Sequence, residues 1–210
     1  MTQAILDDFA LLRMWASGNA AAGDQLARRY YPNVRRFFDV KVPAHAEDLT
    51  QRTFLACAES IHQYRGTATF KAYLFGIARN QLLRHLRTSR VRDDVARRKW
   101  GSGPSVATRT SISMIVANRQ EHHLLLLAYA KLPTDQQITI ELYYWEDMNS
   151  SEIAEALQVP VSTVTTRLSR ARSGLRDAVV ELSAPGAVRD RVVADLEGWT
   201  RSMIVGRSQP

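Results

Sequence analysis

The sequence of 210 residues contains a single cysteine, Cys57, and no long apolar run. One cysteine excludes an internal disulfide framework and any zinc site built from several cysteines. No segment approaches the roughly 20 apolar residues of a transmembrane helix. The first eight residues end in Asp7 and Asp8 and contain no basic residue, unlike a secretory signal. We therefore expect a soluble, cytoplasmic protein with no membrane insertion, in which Cys57 is a small core residue.

Signatures of catalysis are also missing. The sequence has no phosphate-binding loop of the Walker type and no Gly-x-Ser-x-Gly motif. The five histidines show no metal-ligand spacing: His45, His62, His85, His122 and His123. Hydrophobic residues make up 45% of the chain and charged residues 23%, which is an ordinary globular composition. The sequence predicts a folded protein that is not an enzyme and has no catalytic residues, metal site or cofactor.

The charge is unevenly distributed along the chain, whose formal net charge is +7. Residues 60–92 contain seven basic side chains and no acid. Residues 131–161 contain one lysine and six acids, and residues 162–176 contain four arginines and no acid. Two basic segments divided by an acidic one predict two surfaces for a polyanion, with a different partner between them. Charge alone leaves the alternative open that these are solvated helix faces.

Apolar residues recur at helical spacing throughout, and strand-like alternation is hard to find. The pattern predicts an all-α protein of two small helical domains joined by a flexible linker. A domain at residues 1–90 contains four helices: 7–17, one from about Asp24 that Pro32 breaks or kinks, 46–61, and 70 to about 87. The linker covers residues 91–118, which include a Gly/Ser/Pro-rich segment. The second domain covers residues 119–182.

A C-terminal extension, residues 183–210, follows a Pro-Gly pair. The extension carries one apolar stripe at helical spacing and is predicted to form an amphipathic helix; the stripe consists of Val188, Val192, Leu196, Trp199 and Met203. Three roles stay open for it: packing on the second domain of this chain, binding a regulator, or fraying.

The second domain contains the sharpest local pattern. Residues 149–152 have the spacing of a capping box, and a helix of about two turns follows. After a turn at residues 158–161, a longer helix opens at Ser162, with one apolar face made of Val164, Leu168, Ala171 and Leu175. Hydroxyl side chains and arginines occupy its other face. A short helix, a tight turn and a helix of this kind indicate a helix-turn-helix; the alternative is an amphipathic helix hairpin of another bundle.

The helix predicted at residues 70–87 is the second candidate surface. Ala72, Gly76, Asn80 and Arg87 fall on one side of it, which predicts a face that a backbone or bases approach closely. The preceding loop, residues 65–69, supplies a glycine, hydroxyls and backbone amides suited to an unstacked base.

Two separate sets of motifs resemble one known family. Residues 47–54 (EDLTQRTF), 64–66 (YRG), 70–75 (FKAYLF) and 77–80 (IARN) resemble domain two of extracytoplasmic-function (ECF) sigma factors. Residues 132–133 (LP), 152–157 (EIAEAL), 159–161 (VPV) and 163–172 (TVTTRLSRAR) resemble their domain four. The resemblance covers about residues 8–90 and 120–180, in the right order and spacing.

The resemblance implies a bacterial RNA polymerase sigma subunit that directs promoter recognition, melting of the minus-ten element and initiation. It implies that the β′ clamp coiled coil of core RNA polymerase docks on Asp48, Leu49, Gln51 and Phe54. It assigns the minus-ten element to Arg65, Gly66, Thr67, Thr69, Lys71, Arg79, Asn80 and Arg84. It assigns the minus-thirty-five element to Ser162, Thr163, Thr165, Thr166, Arg167 and Arg170. The acidic segment would face the β flap, and an anti-sigma factor is a further partner of many such proteins.

Two departures from the family pattern stand out. Arg52 occupies a position where the family usually has Glu, within the predicted polymerase contact. Gln158 replaces the usual glycine of the helix-turn-helix turn, which would cost about 1 kcal/mol if the position needs a positive φ.

Two other interpretations of the chain remain. One is a stand-alone helix-turn-helix regulator, which leaves the motifs of residues 47–80 without a role. The other is a sigma-like adaptor that does not itself initiate transcription.

Overall fold

The computed structural model describes residues 7–64, 68–100, 120–183 and 185–202. Every regular element within these ranges is a helix, as the sequence predicts, and the chain forms two compact units. Among the described residues, no helix is both long and apolar enough to cross a membrane.

The first unit is built from four helices: α1 (Asp8–Ala16), α2 (Ala20–Asp39), α3 (Ala46–Ser60) and α4 (Phe70–Trp100). Asp7 and Asn19 cap the first two, each accepting a hydrogen bond from a backbone N–H three residues later, at 2.7 Å and 3.3 Å. Helices α1 and α3 pack against α2, and α4 packs against α3. The largest fully buried side chains of this unit come from all four helices: Leu11, Leu26, Phe38, Leu49, Leu74, Phe75 and Leu82.

Of the two outcomes predicted at Pro32, a break or a kink, the break does not occur, and the predicted end of α4 is wrong. Helix α2 runs through Pro32, which is exposed, so that water can bond the carbonyl left without its helical donor. The apolar stripe of α2 stays buried on both sides of Pro32, at Tyr30 and Val34, and tertiary packing therefore overrides the proline. Helix α4 continues past Arg87 to Trp100, because residues 88–100 contain no glycine or proline.

The linker predicted at residues 91–118 therefore begins later than expected, after Trp100. Residues 91–100 belong to α4, and residues 101–118 lie outside the described residues.

The second unit contains α5 (Gln120–Ala130), α6 (Thr134–Tyr144), α8 (Val161–Leu182) and the first part of α7 (Ser150–Leu157), up to Ala154. Helix α8 packs against α5 and α6. The core is formed by Leu125, Tyr129, Ile138, Ile140 and Leu142, all fully buried, and Tyr129 stacks on Trp145 with ring centroids 5.7 Å apart.

The C-terminal extension folds onto the second unit as two short helices, α9 (Ala187–Ala194) and α10 (Leu196–Ser202), instead of the single helix predicted. Asp195 separates them and caps α10, accepting from the Gly198 N–H at 3.0 Å. Val192 and Leu196 are buried, and the Trp145 indole donates to the Thr200 carbonyl at 2.9 Å. Of the three roles left open by the sequence, the structure shows packing on the chain's own second domain.

Candidate nucleic-acid interface

The short helix α7 begins with the capping box that the sequence predicts. The Asn149 side chain accepts from the backbone N–H groups of Ser151 and Glu152, at 2.9 Å and 3.0 Å. The Glu152 carboxylate accepts in return from the Asn149 backbone N–H at 2.9 Å. This reciprocal pair satisfies three otherwise orphaned donors and fixes where the helix-turn-helix starts.

The turn between α7 and α8 depends on one left-handed residue. Gln158 has φ +56°, and the Val159 N–H donates back to the Ala154 carbonyl at 3.0 Å, as in a Schellman motif. Pro160 then caps α8 through its carbonyl, which accepts from the Thr163 N–H at 2.9 Å. The condition stated for Gln158 in the sequence analysis is therefore met: the residue has a positive φ.

Helix α8 presents a buried apolar face and an exposed polar one, as predicted. Val164, Leu168, Ala171 and Leu175 are buried. Ser162, Thr165, Thr166 and Arg170 are exposed, while Thr163 and Arg167 are half-buried. The hydroxyls of Thr165 and Thr166 donate to the carbonyls four residues earlier, at 3.2 Å and 2.9 Å. Each hydroxyl therefore keeps its acceptor lone pairs for an outside donor.

Two arginines on the flanks of α8 are held by acids of neighbouring helices. Arg167 Nε lies 3.1 Å from Asp135 Oδ2 of α6, and Arg172 Nε lies 3.1 Å from Glu197 Oε1 of α10. Arg172 Nε also donates to the Tyr144 hydroxyl at 2.8 Å. Sequence reasoning missed both acids, because neither is a neighbour of its arginine along the chain.

The acidic segment before α8 is less acidic at the surface than its composition suggests. Of its six acids, Glu141 and Glu146 are buried, and the Tyr129 hydroxyl donates to the Glu141 carboxylate. Glu152 caps α7 and Asp135 binds Arg167. Asp135, Asp147 and Glu155 are exposed, so half of the six acids lie at the surface predicted to face a protein partner.

In the first unit, the described residues before α4 are Tyr64, Ala68 and Thr69, and each makes a hydrogen bond. The Tyr64 hydroxyl donates to the Ala68 carbonyl, and the Tyr64 ring packs edge-on against Tyr73 with centroids 5.1 Å apart. The Tyr73 hydroxyl bonds the Ser60 hydroxyl at 2.6 Å, and burial raises the pKa of both tyrosines. Thr69 caps α4, accepting from the Ala72 N–H at 3.2 Å. The predicted site residues Arg65, Gly66 and Thr67 lie outside the described residues.

Helix α4 exposes a polar face after its first turns. Asn80 and Arg84 are exposed, and Arg79, half-buried, donates to Asn80 Oδ1 at 3.4 Å. Lys71 is half-buried. The sequence predicts that Ala72 lies on the same accessible side of α4 as Asn80. The structure corrects this for Ala72, which is 1% exposed and belongs to the core.

The predicted protein-contact residues on α3 divide between surface and core. Asp48 and Gln51 are exposed, and Phe54 is half-buried and stacks on Tyr31 with centroids 6.1 Å apart. Leu49 is only 2% exposed, so it supports this surface from inside and cannot form part of it. Leu55, which sequence reasoning passed over, is 61% exposed and lies two turns after Asp48 on the same face.

The single cysteine is a core residue, as expected. Cys57 is buried on α3, and burial raises the pKa of its thiol to about 12. A neutral, buried thiol is unreactive. Within the part of the chain that the structure describes, no group of three metal-ligating side chains is present.

Comparisons with known proteins identify both units. The family model for sigma-70 region 2 matches residues 25–92, and that for sigma-70 region 4 matches residues 122–175. The ECF RNA polymerase sigma-E factor of Escherichia coli strain K12 is 24% identical over 184 residues, covering 84% of this chain and 96% of that protein. The ECF RNA polymerase sigma factor SigL of Mycobacterium tuberculosis is 28% identical over 140 residues, covering 66% and 77%.

Two solved structures share the fold. CnrH, in complex with the cytosolic domain of CnrY, aligns with a TM-score of 0.57 at 24% identity, over 84% of this chain and 99% of that one. The sigma factor RpoE of Bartonella quintana, in complex with the anti-sigma factor NepR, aligns with a TM-score of 0.58 at 20% identity, over 74% and 95%.

Proposed function

Since the chain belongs to the sigma-70 family and is an RNA polymerase sigma factor of the ECF type, we propose how its surfaces divide promoter recognition. Helix α8 reads the minus-thirty-five element, the segment before α4 and the exposed face of α4 bind the minus-ten element, and α3 docks on core polymerase in the cytoplasm. A stand-alone helix-turn-helix regulator is not favoured, because one of the two family matches, residues 25–92, lies outside the helix-turn-helix.

The assignment of α8 rests on the exposed hydroxyl side chains at its N-terminus. Small side chains at Ser162, Thr165 and Thr166 let the helix approach base edges in the major groove. Because the two threonine hydroxyls already donate to the backbone, they act as acceptors, which suits the amino groups of adenine and cytosine. Their methyl groups suit the thymine methyl. Arg170, exposed one turn later, supplies a phosphate or guanine contact.

The assignment of α4 rests on Asn80 beside Arg79 and Arg84. An asparagine suits adenine, which it pairs with two hydrogen bonds, and the arginines suit the backbone of a separated strand. Tyr64 packs on Tyr73 of α4, and we assign the residues that follow Tyr64, namely Arg65, Gly66 and Thr67, to a base taken out of the stack. Such binding offsets the few kcal/mol that unstacking costs, so that melting requires no chemistry by the protein.

The polymerase contact is assigned to Asp48, Gln51 and Phe54 of α3, opposite the β′ clamp coiled coil, with Leu55 as an apolar addition. An exposed leucine within a polar face is typical of the apolar part of an interface. The contact with the β flap is assigned to the exposed acids Asp147 and Glu155.

An anti-sigma factor is a further proposed partner. The similar structure of RpoE was solved with the anti-sigma factor NepR, which supports the proposal for a chain of the same fold. Such a partner would hold the sigma factor away from polymerase until it is released.

The decisive experiment is run-off transcription with purified core polymerase, with and without this chain, followed by sequencing of transcript 5′ ends. We expect defined start sites that appear only with the chain and share two upstream elements. Core binding without any new start site would instead favour a sigma-like adaptor and would overturn the proposed roles of α4 and α8.

A further inference from the structure

The arginines of the recognition helix α8 are of two kinds. Arg170 and Arg176 are exposed, and no described acid forms an ion pair with either. Arg167 and Arg172 each pair with an acid from another helix, and their side chains are only 22% and 33% exposed. Half of the basic charge of this helix is therefore already bound within the protein.

The two paired arginines lie on opposite flanks of the exposed face. At 100° per residue, Arg167 stands about 140° to one side of Ser162, and Arg172 about 80° to the other. Arginine side chains are long enough to reach forward from such positions to the phosphates that border the major groove. Asp135 draws one of them towards α6, and Glu197 draws the other towards α10.

Arg172 is held by more than the ion pair. Its guanidinium lies 5.6 Å from the centroid of the Tyr143 ring and 5.7 Å from that of Tyr144, and its Nε donates to the Tyr144 hydroxyl. Glu197 is placed there by the packing of α10, which Leu196 and Thr200 bury against the second unit. The C-terminal extension thus brings a negative charge to the side of the recognition helix.

We propose that Asp135 and Glu197 set the DNA affinity of the second unit, by withholding Arg167 and Arg172 from the DNA phosphates. The proposal rests on the assignment of α8 to the minus-thirty-five element. An arginine that turns to a phosphate has to leave its carboxylate, and the carboxylate then stands beside the negatively charged backbone. Both effects lower affinity without regard to base sequence, so Asp135 and Glu197 favour release of the upstream element.

The test measures binding of the full-length chain, assembled with core polymerase, to a promoter duplex and to an unrelated duplex over a salt series. We expect Glu197→Gln and Asp135→Asn each to tighten binding to both duplexes about threefold. Each should also steepen the plot of log affinity against log salt by about 0.9, the value for one more phosphate contact. Promoter preference, the ratio of the two affinities, should stay unchanged.

Glu181→Gln is the matched control. It removes one negative charge from α8 and breaks the Lys131–Glu181 ion pair of 2.6 Å, but frees no arginine of α8. In an Arg172→Ala background, Glu197→Gln should have no effect beyond that of the control. An unchanged or weaker affinity of Glu197→Gln and Asp135→Asn would overturn the proposal. The acids would then either have no effect on DNA binding or orient the arginines towards DNA.

The double variant Arg170→Ala/Arg176→Ala separates this proposal from the assignment on which it rests. Should that variant bind the promoter duplex as tightly as the parent chain, α8 does not face DNA and the proposed function of the helix fails. Weakened binding of the double variant, with Glu197→Gln equal to Glu181→Gln, would leave the function of α8 standing and reject only the role of the acids.

Discussion

Arg52 donates from its Nε to Asp48 Oδ1 at 2.9 Å, across one turn of α3 on the exposed surface of the first unit. Asp48 is one of the residues assigned to the polymerase contact, and the family usually has glutamate where this chain has Arg52. The acid of the proposed docking surface is therefore paired with a basic neighbour on its own helix, instead of standing beside a second acid. This relationship gives the departure at Arg52 a physical consequence.

Arg52→Glu should tighten binding to core polymerase several-fold, because it frees the Asp48 carboxylate and adds a second one. The cost is the loss of the i,i+4 pair, about 0.3–0.5 kcal/mol of helix stability. Competition for core polymerase against a labelled sigma factor measures the effect. Arg28→Glu, at an exposed position of α2, makes the same charge change elsewhere on this unit. Equal behaviour of the two variants would count against α3 as the docking surface.

Gln158→Gly should stabilise the second unit by about 1 kcal/mol, because glycine adopts φ +56° without the steric cost that a side chain carries. Thermal unfolding followed by circular dichroism should show a rise of several degrees in the midpoint of this unit. Gln158→Ala keeps a Cβ at the same φ and should give no rise. A glycine variant no more stable than the alanine variant would show that the turn is unstrained.

Thr166→Ala should weaken recognition of the minus-thirty-five element selectively, because it removes an acceptor and a methyl group from the exposed start of α8. A base contact of this kind is worth about 1–3 kcal/mol of discrimination. Transcription from promoters with single changes in the upstream element should show relaxed preference at one or two positions. Ser173→Ala, an exposed hydroxyl two turns further along α8, serves as control. A uniform loss over all promoters would indicate a phosphate contact instead.

Asn80→Ala or Arg79→Ala should impair promoter opening more than polymerase binding, since both residues lie on the face of α4 assigned to the separated strand. Permanganate footprinting of unpaired thymines reports opening, and co-purification with core polymerase reports binding. Thr88→Ala, exposed two turns further along α4, should affect neither. Unchanged footprints in both variants would remove α4 from the minus-ten contact.

The sequence predicts local features well where a single helix or turn decides them. The capping box at Asn149 and the apolar face of α8 follow from residue type and spacing, and the structure confirms both. What the sequence leaves undecided depends on packing between distant residues. Pro32 is accommodated because α2 is buried on both sides of it, and Leu49 is core because α3 turns it inward.

The ion pairs that hold Arg167 and Arg172 of α8 also depend on packing between distant residues. Arg172 and Glu197 are 25 residues apart, in helices whose mutual approach is fixed by the burial of Val192 and Leu196. No local pattern in the sequence predicts the contact between Arg172 and Glu197. The distribution of charge predicts two basic surfaces, but tertiary structure decides which arginines of α8 pair with acids and which do not.

Cys57 gives a prediction about pH. Its pKa, about 12 in the folded chain, is raised by burial, whereas an exposed thiol ionises near pH 8.5. The stability that follows from this shift is present in full below about pH 8.5, and it is lost as pH rises towards 12, because the unfolded chain gives up the proton first. Between these limits, the free energy of unfolding of the first unit should fall with pH, and Cys57→Ala should remove that part of the slope.

The burial of Cys57 also predicts slow alkylation. At pH 8, iodoacetamide should alkylate the denatured chain readily and the native chain very slowly, as measured by mass spectrometry. Rapid alkylation of the native chain would show that α3 opens locally and exposes the thiol without global unfolding.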